Sequence, residues 1–142
     1  MRFNIFPLLF LLSFLFLSGC QDDPQAALDK AVEQLQANLE AKKTSAVFDQ
    51  LHPQFLAQQM NDRQWARQTM TGLFLRYRQI KILAFSKNSQ LDPTYTNKGY
   101  TDADVGLAGA EGLIPDAARH YRVRMEWWRE GGDWKLARLD WQ

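Results

Sequence analysis

Few side chains in this 142-residue chain could do chemistry. Proton transfer needs a positioned group of suitable pKa, and the candidates are His52 and His120, with Tyr95, Tyr100 and Asp104 as the other groups a small pocket enzyme could draw on. His52 precedes Pro53, where a capping or surface role is the commoner use of histidine, and His120 opens a strand. Asp102-Ala103-Asp104 has the alternate carboxylates that begin a calcium loop, but counting from Asp102 the required glycine is Leu107 and the required glutamate is Leu113. The two acids therefore read as the wet side of a strand. The sequence contains no G-x-S-x-G, no phosphate-binding glycine loop and no H-E-x-x-H. No catalytic residue, metal site or cofactor is expected. Trp127, Trp128, Trp134 and Trp141 crowd the end of the chain. Alternation sends Trp127 and Trp141 inward, and places Trp128 and Trp134 with Arg122 and Arg124 on a half-apolar, half-basic face. These four residues are the expected ligand or partner contacts.

The lone cysteine, Cys20, follows a run from Ile5 to Leu17 that is almost wholly apolar, with Arg2 the only charge ahead of it. That is a secretory signal in outline. A membrane-spanning helix needs about 20 apolar residues, and this run is shorter and carries Pro7. Leu17-Ser18-Gly19-Cys20 resembles the lipobox at which bacterial lipoproteins are cleaved and acylated; the alternative is an ordinary cleaved signal that ends beside a cysteine. The resemblance implies removal of residues 1–19, a diacylglycerol and an amide-linked acyl chain on Cys20, and membrane affinity of about 0.8 kcal/mol per buried methylene. It also implies the periplasmic face of a Gram-negative outer membrane, since Gln21 rather than aspartate follows the cysteine.

Loss of Arg2 with the signal leaves sixteen basic and sixteen acidic residues, a balance that argues against nucleic acid or an anionic lipid surface as the main electrostatic partner. Residues 20–23 form the tether, with Gln21, Asp22 and Asp23 reaching about 10 Å at most. A partner at the membrane surface is therefore expected: a membrane protein's periplasmic face, another lipoprotein, or an amphiphile.

Residues 24–142 make one domain. Asp23-Pro24 is a helix start, and Leu28, Val32, Leu35 and Leu39 form one stripe to about Ala41, with Lys42 and Lys43 suiting the negative end of that helix. A shorter helix carries Val47, Phe48 and Leu51 until His52-Pro53 interrupts or bends it. A third starts near Asn61-Asp62 and carries Trp65, Met70 and Phe74. The period then changes to alternation: Ile80, Ile82 and Ala84 share one strand face, and Thr101, Ala103, Val105 and Leu107 another. Residues 86–99 read as a loop or wide hairpin connection. Gly131-Gly132 joins the last two strands. A plain two-residue turn would set Trp127 against Leu136 and Arg138 against Met125. A slip by one through a bulge or a three-residue loop pairs Glu126 with Arg138, Arg124 with Asp140 and Trp128 with Leu136, and segregates the apolar residues better; this is the expected register.

Charge is sorted along the chain, with residues 61–91 at net +5 and residues 92–116 at net −4. Neighbouring strands of opposite sign are expected to pair with each other, or failing that to form a dipolar docking surface. Helices first and antiparallel strands afterwards make an α+β fold. With its closing YRVRMEWWREGGDWKLARLDW, the chain resembles the nuclear-transport-factor-2-like, or cystatin-like, superfamily. That implies amino-terminal helices packed on a curved antiparallel sheet to form a cone, whose pocket serves small enzymes and binding modules alike. The expected function is a membrane-tethered, non-enzymatic interaction or binding module of the bacterial envelope. The alternative is a small-molecule binder or minor enzyme using the pocket.

Overall fold

The computed structural model describes residues 23–109, 112–113 and 120–142. The signal-like run, the Leu17–Cys20 motif, Gln21 and Asp22 lie outside the described residues, as does Pro115.

Helix α1 (Pro24–Glu40) begins as expected, with the Asp23 carboxylate accepting the Gln25 amide and proline in the first turn. Leu28, Val32 and Leu35 are buried along its stripe. Lys42, in a left-handed conformation (φ 56°), does not serve α1. Its ammonium donates to the carbonyls of Phe74 (3.0 Å) and Tyr77, at the end of α3 (Arg63–Arg76). The cation thus compensates the negative end of a different helix.

Helix α2 (Thr44–Gln50) stops before Leu51, which instead begins strand β1 (Leu51–Ala57). The helix is thus interrupted rather than bent, and Leu51, expected within it, opens with His52-Pro53 an edge strand, where a missing N–H is tolerated. It runs parallel to β6 (Asp133–Trp141). The remaining strands are β2 (Lys81–Leu91), β3 (Lys98–Gly109), β4 (Gly112–Leu113) and β5 (Tyr121–Glu130). The sheet order is β1-β6-β5-β3-β2, with β4 paired to the end of β3. Every pairing except β1 with β6 is antiparallel. The expected loop or wide hairpin connection over residues 86–99 is a hairpin, but most of it is strand, with a turn only between Leu91 and Lys98. Its polar composition suits an edge strand with one wet face.

Two bulges decide which side chains face the helices. Gly131 and Gly132 both have positive φ (61° and 94°) and close a two-residue turn, so Trp127 faces Leu136 and Trp128 faces Lys135 rather than Leu136. The register then shifts by one at Ala137, and beyond it Glu126 faces Arg138, Met125 faces Leu139 and Arg124 faces Asp140. Both registers weighed from the sequence are present, one on each side of the bulge. The shift keeps Trp134, Leu136, Leu139 and Trp141 with the core, which moves Trp134 to the opposite face from the one expected. On β2, Ala84 pairs with Val105, but Ser86 pairs with Asp104 and Lys87 with Ala103. Phe85 is the extra residue, and the shift turns Lys87 to the inner face.

One end of the cone is filled by buried side chains, beside a half-polar groove of about 400 Å³ between α1 and residues 132–135. Leu28, Thr101 and Trp127 are fully buried there. Trp134 Nε1 donates to Pro24 O (3.2 Å), and Gln25 Nε2 donates to Ser89 O (3.0 Å), tying the start of α1 to both hairpins. Gly99 makes room for Leu28, whose Cδ2 would lie 2.7 Å from a β-carbon at that position. At this end Leu28→Ala is expected to cost about 2–5 kcal/mol in urea unfolding. Leu73→Ala, at a position 40% exposed on α3, should cost under about 1 kcal/mol. Equal losses would contradict the division of the cone into a filled and an unfilled end.

Candidate functional site

Towards its other end the cone is hollow. The second half of α1 (Val32, Leu35, Leu39), the inner face of α3 (Met70, Phe74), and strands β2, β3, β5 and β6 line a half-open hollow of about 500 Å³. That is the size of a small-molecule site. Helix α3 packs on α2 and β1, and Lys42 holds its carboxyl end. No described residue fills the space between α3 and the β2–β3 hairpin, which has Ile82, Ala84, Val105 and Leu107 on its floor. Three helices do not cover this much sheet.

The lining is almost entirely aliphatic and aromatic. Its polar members are Gln36, Thr69, Tyr77, Tyr121 and Lys87. Gln36 is already engaged, its Nε2 donating to Glu40 Oε1 (2.9 Å) and Ile82 O (3.3 Å). Lys87 is the only charged residue of the wall; no carboxylate or imidazole lines it among the described residues. Such a surface can exclude water and hold an apolar body. Acid–base work requires convergent groups of another kind.

The residues singled out from the sequence lie elsewhere. His52 is buried outside the cavity, where Nε2 meets Glu130 Oε1 (2.9 Å), Nδ1 accepts the Gln54 amide (3.0 Å), and the ring stands edge-on to Trp128 at 4.7 Å. With Nδ1 accepting, Nε2 carries the proton. His120 stacks on Phe85 at 4.3 Å, and Tyr95 is exposed in the β2–β3 turn. Asp104 accepts from Ser86 Oγ (2.9 Å) and lies 3.7 Å from Arg122 Nε. Arg124 grips both oxygens of Asp102 (3.0 and 3.1 Å) and lies over Tyr100. Trp128 donates to Glu126 Oε1 (2.8 Å), with Arg138 over its ring at 4.9 Å. Trp134 is buried against Pro24. Arg122, Arg124 and Trp128 thus share the outer sheet face, and Trp134 is not with them. No group of three histidine, cysteine or acidic side chains suited to a metal occurs among the described residues.

The acids of β3 pair with arginines of β5, not with the cations of residues 61–91 as the charge sorting suggested. The bulge at Phe85 is the reason, since it sets Lys87 opposite Ala103 instead of Asp102. The cavity walls themselves were read from the sequence as core. Inward-facing apolar stripes look the same whether or not a helix reaches far enough to cover them.

No protein-family model matches the chain, and no curated protein matches it. Solved structures do resemble it. Bd1075 of Bdellovibrio bacteriovorus superimposes with a TM-score of 0.68 at 12% identity, over 81% of this chain, which spans 40% of that protein. A nuclear-transport-factor-2-like protein of unknown function from Pseudomonas putida gives 0.69 at 7% identity, over 83% of this chain and 84% of that one. A candidate aromatic ring hydroxylase from Novosphingobium aromaticivorans gives 0.66 at 13% identity, over 84% and 87%. These likenesses establish the fold, a nuclear-transport-factor-2-like α+β cone, and a shared fold does not carry an activity with it.

At the hairpin tip, Asp92 Oδ1 accepts the Thr94 and Tyr95 amides (both 2.8 Å) and Oδ2 accepts Tyr100 Oη (3.0 Å). The Tyr95 amide, then the Thr94 amide, hold the Asp92 carboxyl below its usual range; burial, then the bond to Asp92, pushes the Tyr100 hydroxyl up. A depressed carboxyl contributes stability above its unfolded pKa and loses it as pH falls through the folded one. Asp92→Asn is therefore expected to flatten the acid side of a plot of unfolding midpoint against pH and leave the neutral region's slope unchanged. An unaltered acid limb would contradict the assignment.

Proposed function

We propose that this chain is a membrane-tethered, non-enzymatic binding module of the bacterial envelope that holds an apolar or amphiphilic small molecule in its cone. The observation that carries the reading is the hollow of about 500 Å³ walled by hydrocarbon. Exposed apolar wall is costly in water at about 25 cal/mol per Å², and an occupant removes that cost. A filled cone would have favoured a pure scaffold, and a cone with converging polar groups would have favoured an enzyme. The hollow here is neither.

The tethered part of the reading rests on Leu17-Ser18-Gly19-Cys20 and on lipid at Cys20, with the periplasmic face of the outer membrane as the location. Tether and cavity have a definite relation. The start of α1 lies at the filled end, and its 17 residues span about 25 Å towards the hollow one. With Cys20 in the bilayer and only Gln21, Asp22 and Asp23 between, the filled end sits nearest the membrane and the cavity opens on its far side. A membrane-surface protein partner then belongs beside the hairpin tips and the outer face bearing Arg122, Arg124 and Trp128.

Two outcomes are expected. Intact-mass measurement of the native protein should find residues 1–19 removed and Cys20 acylated; an unmodified cysteine would remove the membrane from the proposal. Solvent extraction of the purified full chain should release about one apolar molecule per protein. Val105→Trp, which fills the cavity from its floor, should reduce that at least about tenfold with an unchanged circular dichroism spectrum. Equal recovery from both proteins would sink the binding reading.

A further inference from the structure

We infer that the ligand of the cone is a single-chain anionic amphiphile, its hydrocarbon chain in the hollow and its anionic head at Lys87; this rests on the binding reading above. The register of β2 carries the argument. Without the extra residue at Phe85, strand alternation would place Ser86 opposite Ala103 and Lys87 opposite Asp102 on the outer face. Asp102 would then have a cation on each side, from Lys87 and Arg124. The bulge instead pairs Ser86 with Asp104 and Lys87 with Ala103, so the lysine stem becomes part of the cavity wall.

No described residue neutralises the charge so delivered. Lys87 makes no hydrogen bond or ion pair with any described residue, whereas Asp102 and Asp104 are held by Arg124 and Arg122. Glu40, the acid tied to the lining residue Gln36, already accepts that amide. Among the described residues the wall therefore offers a ligand one cation and no anion, on a surface that is otherwise almost entirely apolar. Lysine is suited to such a boundary, because its methylenes lie along apolar surface while the ammonium stays in water. Lys81, next to the lining residues Ile80 and Ile82, is likewise exposed and without an ion pair among the described residues. It adds positive potential on the same strand, which attracts anions. A neutral chain would gain nothing from these groups, and a cationic amphiphile would be repelled. A carboxylate or phosphate head satisfies the same chemistry.

The experiment is photolabelling of the full chain in native membrane vesicles. Three long-chain probes carry the same chain diazirine and differ only in the head: carboxylate, alcohol or quaternary ammonium. A long-chain phosphate probe, used as a fourth arm, separates the two anionic heads. The result expected is adducts on peptides of α3, β2 and β3, strongest for an anionic probe. Lys87→Gln should lower anionic labelling by about two- to fivefold, the scale of an exposed charge pair, to the level of the alcohol. Lys87→Arg should retain it, and Val105→Trp should abolish labelling by all probes. Equal cavity labelling by alcohol and anions, indifferent to Lys87→Gln, overturns the anionic head and leaves the apolar cavity standing. Absence of adducts from these peptides with every probe overturns both.

Discussion

Trp127 is fully excluded from water, and its Nε1 donates to Thr101 Oγ1 (3.2 Å), which in turn shares a hydrogen bond with Ser89 Oγ (2.8 Å). This buried indole and its polar partner fix three strands to one another beneath Leu28 of α1. A buried N–H without a partner would cost about 1–3 kcal/mol, so the Thr101 hydroxyl is as much a part of the core as the ring it serves. With Trp134 donating to Pro24 on the other side of the helix start, α1 is pinned at one end of the sheet. Where the remaining helices can lie follows from that. α3 is held by Asp62 at one end and Lys42 at the other, reaches β1 and α2, and among the described residues leaves the floor of β2 and β3 uncovered.

Much of this was legible in the sequence, and the reasons are local. Asp23-Pro24 and Asp62 announce helix starts because their carboxylates accept early amides that would otherwise lack partners. Gly131-Gly132 announces a turn because both positions need positive φ. The α+β class follows from the change of period after Tyr77. β1 was hidden because seven residues with Pro53 in the middle carry no clean alternation; its pairing with β6 is a long-range contact that no local pattern announces. The strand character of residues 86–91 was hidden for a related reason. An edge strand with a wet outer face can be as polar as a loop.

The candidate site was hidden more deeply, because it is made by register. One extra residue at Ala137 sends Trp134 inward, away from the face on which its neighbours in sequence suggested it would stand. One at Phe85 sends Lys87 inward and away from Asp102. Bulges of this kind redirect a side chain without changing the fold. His52 and Tyr100, which looked like chemistry, are instead held in local hydrogen bonds. The residues that matter for binding, Val105, Leu107, Ile82 and Lys87, looked like core and surface.

The central claim is that the cone is hollow at one end only, and that the hollow accepts apolar matter. Methyl-detected nuclear magnetic resonance under xenon pressure addresses it directly, since xenon binds in apolar cavities. Saturable shifts at the methyls of Ile82, Val105, Leu107 and Leu139, with Leu28 unmoved, are the predicted result. Unperturbed methyls at those four positions, or shifts as large at Leu28, would contradict it.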